Sequence, residues 1–108
     1  MKRGDIVTTA MQGDYGKPRP ALIVQSDTFG ETDSVTLLLI TSTLERASLL
    51  RVDMAPSAAN ALRRPSQAQI DRLMTTRRER IGPVVGTAGE QVMTEIDRQL
   101  LSFLSLEL

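Results

Sequence analysis

The chain contains no cysteine, no histidine and no tryptophan. Without thiols, disulfide frameworks, thiol nucleophiles and zinc–thiolate centres are excluded, and a reducing cytoplasm is the expected setting. Without imidazole, the commonest general base near neutral pH and the commonest metal ligand are both missing. Any catalysis has to use Arg, Lys, Asp, Glu, Ser, Thr or Tyr, and no metal or other cofactor is expected. Aromatic rings are almost as scarce, with Tyr15, Phe29 and Phe103 the complete set. No apolar run approaches the roughly 20 residues of a membrane helix. Met1-Lys2-Arg3-Gly4-Asp5 has no apolar stretch behind it that could serve as a signal peptide. No membrane association is expected.

The 108 residues suit a single domain over positions 1–108 with one core. Net charge is zero, so composition alone announces no nucleic-acid partner. The distribution says more. Between Arg63 and Arg80 six arginines stand against Asp71 and Glu79, a local balance of +4. Glu90, Glu95, Asp97 and Glu107 later face Arg98 alone. Such a split either creates a basic face on a neutral protein or scatters arginines over solvated strands and loops.

Ile6–Ala10 has the pattern of a first strand, followed by turn formers from Gly13 to Pro18. Ala21-Leu22-Ile23-Val24 and Val35–Thr41 are apolar runs suited to strands buried on both faces. Ser26 and Asp27 can cap a single helical turn that Gly30 stops. Leu49–Met54 alternates, with Leu50, Val52 and Met54 on one face. Pro56–Arg64 is expected as a loop with Asn60 at a turn. Ser66–Thr76 is expected as a strand, although Ala68, Ile70 and positions 72–74 fail to alternate. Gly82–Gly86 is expected as a turn with a short extended piece. Thr87 and Glu90 have the spacing of a capping box. Beyond them Val92, Met93, Ile96, Leu100, Phe103 and Leu104 form one helical stripe, which places Phe103 in the core. Several strands followed by one amphipathic helix imply a mainly β fold: a strongly bent sheet or partly open small barrel with a C-terminal helix.

Three features carry chemistry. Arg19 stands between Pro18 and Pro20, which fix φ on both sides and supply no N–H, and Pro20 pushes Arg19 toward an extended backbone. A guanidinium mounted so stiffly loses less freedom on binding, and its planar fork suits phosphate. The alternative is a surface arginine capping a strand. Thr41-Ser42-Thr43 is a hydroxyl cluster that either closes a strand on its own backbone or converges with Arg19 on a phosphate. Asp71, among arginines, is either an ion-pair partner or a base or orienting acceptor. Nothing matches a P-loop, a dinucleotide fold or a metal site.

Several motifs follow one another in order: Arg3-Gly4-Asp5-Ile6-Val7, Gly16-Lys17-Pro18-Arg19-Pro20-Ala21-Leu22-Ile23-Val24, Leu39-Ile40-Thr41-Ser42, Ser66-Gln67 and Ile70-Asp71-Arg72-Leu73-Met74-Thr75. Together they resemble the MazF/PemK family of toxin–antitoxin ribonucleases over essentially the whole chain. The resemblance implies an SH3-like small β-barrel of the CcdB/MazF toxin type with a C-terminal α-helix. It also implies a homodimer, a cytoplasmic setting, and a type II toxin that cleaves single-stranded RNA without a metal. The partner would be a cognate antitoxin with an acidic tail that covers the RNA groove.

Carried over residue by residue, the resemblance places catalysis on Arg19, Thr41 and Asp71. Beyond that carry-over, the residues expected to bind RNA are Lys17, Tyr15, Ser42, Thr43, Arg72 and Arg77, with Tyr15, in the loop before Arg19, either stacking on a base or shielding the barrel. The implied reaction is attack of a ribose 2′-OH on its own 3′-phosphate. The chain departs from the family in its shorter loop from Met11 to Lys17, and in Arg72-Leu73-Met74 where many relatives place Gln and Arg. Two other readings belong to the same fold type: a gyrase poison like the CcdB branch, which would not need Arg19, and a non-catalytic SH3-like binding module.

Overall fold

The computed structural model describes residues 1–10, 17–46 and 48–107. Six strands form one antiparallel sheet: β1 (Asp5–Ala10), β2 (Pro18–Ile23), β3 (Ser34–Thr41), β4 (Arg51–Met54), β5 (Ser66–Arg77) and β6 (Ile81–Thr87). Their order across the sheet is β4-β5-β3-β2-β1-β6, and the helix α1 (Glu90–Phe103) follows. The class is the expected one, mainly β with a C-terminal helix. The ladder does not close into a barrel among the described residues, because β4 and β6 remain its two edges.

Strand side chains alternate between faces, and here both faces are buried. Ile6, Leu22 and Leu38 stand in one cross-strand row. They pack with Ile40, Val52, Met54, Ala68 and Ile70 under Ile96 of α1. Val7, Ala21, Ile23, Val35 and Leu37 go to the opposite face, against Leu39, Met74 and Ile81. Two buried faces account for the uninterrupted apolar runs in β2 and β3.

β5 supplies the bend. It pairs with β3 from Ser34↔Arg77 to Leu38↔Leu73, then resumes at Ile40↔Ala68. Over that step β5 holds three more residues than β3, so Gln69 to Arg72 lie opposite Leu39 alone. Extra residues in one strand bend it and increase its twist. This is the physical cause of the broken alternation around positions 68–74.

The chain's ends are stapled to the sheet. The Arg3 amide donates to Asp27 Oδ1 at 2.6 Å, and its guanidinium donates to the Val24 carbonyl and pairs with Asp97 of α1. The expected single turn forms over Asp27–Phe29, where Ser26 Oγ accepts the Thr28 N–H and Gly30 closes the turn. Buried Asn60 knots the loop before β5. Its Oδ1 accepts from the Ser57 and Leu62 amides, and its Nδ2 donates to the Ala55 carbonyl at 2.8 Å.

Three expectations need correction. Gly82–Gly86 is no turn but the body of β6. As an edge strand, β6 tolerates the N–H that Pro83 lacks, and two register shifts against β1 absorb its irregularity. The capping box does not form either. Thr87 ends β6 with its hydroxyl donating to the Gly4 carbonyl, and Gly89 takes the N-cap position at φ 86° without a side-chain cap. Finally, Phe103 is exposed rather than core. The buried member of the helical stripe is Ile96, while Phe103 borders an open depression beside Leu49 and Leu50.

Gly86 shows how tightly the Asn60 loop is seated. A Cβ there would come within 2.6 Å of the Ala59 carbonyl oxygen and of the Asn60 backbone. Gly86→Ala should therefore destabilise the fold by about 2 kcal/mol, read as a melting temperature lowered by roughly 10 °C. On α1, hydrogen bonds from Arg98 and then Gln99 hold the Glu95 carboxyl down to about 2 from an ordinary 4.5. A depressed carboxylate stabilises the fold fully above its unfolded value, and that contribution is lost as pH falls through about 2. In an NMR titration, Arg98→Ala should return the Glu95 midpoint toward the ordinary value.

Candidate active site

β2 starts with an overhang. β1 pairs with it from Ile6↔Leu22 to Ala10↔Pro18, but β3 pairs with it only from Ala21↔Leu39 to Ile23↔Leu37. Pro18 and Pro20 have no N–H to extend the β3 ladder. Continued by two residues, the register sets Arg19 opposite Thr41. On the other side of β3, the step in β5 opens the sheet at Leu39. Between these two interruptions lies a cleft of about 180 Å³ lined by Arg19, Leu39, Ile40, Thr41, Gln69 and Arg72.

The step explains why Gln69 and Arg72 share the cleft, since residues three apart on a regular strand point to opposite faces. Among the described residues, the lining has two guanidiniums, a hydroxyl and an amide, and no carboxylate. Such a set binds an anion through charge-assisted hydrogen bonds. Among the described residues no cluster of three or more acidic side chains could hold a metal ion.

Thr41 is held in place by its neighbours. Its Oγ1 accepts the Thr43 N–H at 3.1 Å, which leaves the hydroxyl proton free to be donated. The Thr43 carbonyl in turn accepts from Arg51 Nη1 at 3.0 Å. Arg51 also donates to Gln67 Oε1 and to Glu45 Oε1, with its side chain only 13% exposed. Gln67, paired across the ladder with Thr41, is buried and uses all its hydrogen-bonding capacity. Its Oε1 accepts from Arg51 and the Glu45 amide, and its Nε2 donates to the Glu45 carbonyl and to Asp53 Oδ1. The segment after β3 is thereby fixed to β4 and β5.

The structure brings Arg19, Thr41 and Arg72 together. Asp71 lies on the same four-residue step but does not line the cleft, and it forms no ion pair among the described residues. Lys17 is exposed just before β2, and Ser42 and Thr43 are exposed just after β3. Arg77 is remote, roughly 17 Å along the strand from Arg72. It borders a separate depression with Asp33, Ser34 and Arg78 and pairs with Glu79 at 3.5 Å. Tyr15 lies outside the described residues. Of the arginine-rich stretch, Arg78 has a structural role, donating to the Thr32 and Gly30 carbonyls at 2.8 Å each. Sequence reasoning missed Gln69, Leu39 and the Gln67–Arg51 network, although the failed alternation in β5 was a signal of the step.

Comparison with known proteins gives this cleft a family. The family described as PemK-like, MazF-like toxin of type II toxin-antitoxin system matches residues 2–104. The chain belongs to that family. A relative from Mycolicibacterium smegmatis, described as a probable endoribonuclease MazF, is 43% identical over 107 residues, covering 98% of each chain. Among solved structures, an endoribonuclease in complex with its cognate antitoxin from a mycobacterial species superposes with a TM-score of 0.83 at 24% identity, covering 100% of this chain and 98% of that one. Mycobacterium tuberculosis toxin MazF-mt6 gives 0.80 at 22% identity, covering 96% and 99%. At these identities the structural likeness establishes the fold, which is the MazF-like one.

The buried amide behind the cleft of this PemK/MazF member can be tested directly. Gln67→Leu keeps approximate size but removes a partner of Arg51, of Asp53 and of the Glu45 backbone N–H and carbonyl. It should lower the denaturant midpoint by an amount equivalent to about 2–3 kcal/mol.

Proposed function

We propose that the chain, as a single toxin domain over residues 1–108, is the toxin of a type II toxin–antitoxin pair and an endoribonuclease acting on single-stranded RNA without a metal. The observation that carries this reading is the meeting of Arg19, Thr41 and Arg72 in one cleft, in a chain 43% identical to a probable endoribonuclease MazF.

The nucleophile belongs to the substrate. The 2′-oxygen bonds to phosphorus and the bond from phosphorus to the 5′-oxygen breaks, leaving a cyclic phosphate and a 5′-hydroxyl. The 2′ proton passes to water, and the departing oxygen takes one up. Arg19 and Arg72 hold the non-bridging oxygens, where negative charge builds, and Arg19 also steadies the departing 5′-oxygen. The Thr41 hydroxyl donates to the same phosphate. A fixed donor aimed at developing charge contributes roughly 3–4 kcal/mol, and a neutral hydroxyl about 1 kcal/mol. Asp71, outside the cleft, has no direct contact with the phosphate in this arrangement, and among the described residues the cleft lining offers no base of its own. The rate therefore rests on positioning and electrostatics, which favours a slow nuclease.

The protein partners proposed are a cognate antitoxin and a second copy of this chain. In support of association, Val84 and Val85 on edge strand β6 and Phe103, Leu104 and Leu106 at the end of the chain are exposed apolar side chains. No helix among the described residues is long and apolar enough to cross a membrane, in keeping with a cytoplasmic RNA target.

The test is incubation of purified protein with end-labelled single-stranded RNA in the presence of a chelator. Fragments ending in a cyclic phosphate and beginning with a 5′-hydroxyl are expected. Arg19→Ala should cut at least roughly 10²-fold more slowly with an unchanged melt, and Thr41→Val about fivefold more slowly. Wild-type cleavage by Arg19→Ala would refute the assignment.

A further inference from the structure

Gln69 is the cleft residue that phosphate chemistry leaves unused. Three other side-chain amides, those of Gln67, Asn60 and Gln25, are engaged through both oxygen and nitrogen, and Gln99 is engaged through its nitrogen alone. Gln67 uses both its oxygen and its nitrogen twice. Asn60 makes three side-chain bonds. Gln25 donates to Phe29 and Thr32 and accepts from Thr36. Gln69, half-buried in the cleft wall, forms no side-chain hydrogen bond among the described residues.

Its mounting is rigid. Gln69 is paired with Arg51 on β4, and the next residue, buried Ile70, donates its amide to the Leu50 carbonyl at 2.9 Å. The amide stands at the start of the β5 step, sharing the cleft with Arg19, Thr41 and Arg72 and with the apolar side chain of Leu39. An amide carries a donor and an acceptor side by side, the complement of a nucleobase edge rather than of a phosphate. Unpaired bases in single strands expose such edges.

We propose that Gln69 is a specificity-determining residue that reads the edge of the base flanking the cleaved phosphate, with adenine, through its N6 donor and N7 acceptor, the best match. This rests on the ribonuclease reading above. Arg19 and Arg72 seat the phosphate, which brings the neighbouring base to the Gln69 wall of the cleft. A bidentate amide–adenine pair discriminates against the wrong base by about 5- to 150-fold.

The experiment compares cleavage of RNA oligonucleotides that vary only in the two bases flanking the cut, by wild type, Gln69→Leu and Gln69→Glu, each with a melt to verify folding. The readout is the ratio of rates between substrates, which a general loss of activity does not move. Wild type should favour adenine at one flanking position by at least about fivefold. Gln69→Leu should collapse that ratio to near one. Gln69→Glu, an acceptor without a donor, should shift preference toward cytosine, whose N4 donates. If wild type cleaves but both variants keep its base preference, the Gln69 assignment is overturned while the ribonuclease reading stands. If wild type cleaves none of the oligonucleotides, the ribonuclease reading fails and takes this inference with it.

Discussion

The site depends on strand β3 losing regular ladder partners on both sides near its C-terminal end. On one side, two prolines cannot donate, so β2 overhangs β3 and carries Arg19 out over Thr41. On the other, β5 runs three residues longer than its partner across Leu39. A backbone group that leaves a ladder has to find another partner or meet water. The opening therefore survives only because its surroundings are firmly held. Leu22, Leu38 and Ile70 pack on one face of the sheet, while Val7, Ala21 and Leu37 pack on the other. Buried Gln67 and Arg51 tie down the segment that leaves β3.

This arrangement separates rigidity from reactivity. The core and the Gln67 network use apolar area and saturated amides to order the backbone. The cleft keeps cations, a hydroxyl and one amide facing an opening. Neutral overall charge does not weaken such a site. What counts is that two guanidiniums share one cleft, while the glutamates of α1 sit on a different element. Electrostatic stabilisation by fixed donors requires no histidine, and a nucleophile carried by the substrate relieves the protein of supplying one.

Much of this was legible beforehand, because it rests on local rules. Proline geometry marked Arg19, the apolar runs marked β2 and β3, and a helical stripe marked α1. The errors were also local rules applied where tertiary context prevailed. Gly82-Pro83 indicated a turn, yet an edge strand accepts both residues. Thr87 and Glu90 had capping-box spacing, yet Thr87 was needed to end β6. Phe103 had the right helical phase, but phase says which way a side chain points and not how far the core extends beneath it.

By itself, the sequence determined the class of fold, the family and the two residues, Arg19 and Thr41, around which a phosphate site can be argued. Each follows from composition, short-range stereochemistry or a run of motifs in order, and these can be read along a line. Only the tertiary structure decided that Arg72 joins them, that Asp71 and Arg77 do not line the cleft, and that Gln69 stands beside them with no side-chain hydrogen bond among the described residues. Those facts depend on where β5 slips by three residues against β3. A register is a property of two strands far apart in the chain, set by which pairing buries the most apolar surface, and no single stretch of residues contains it.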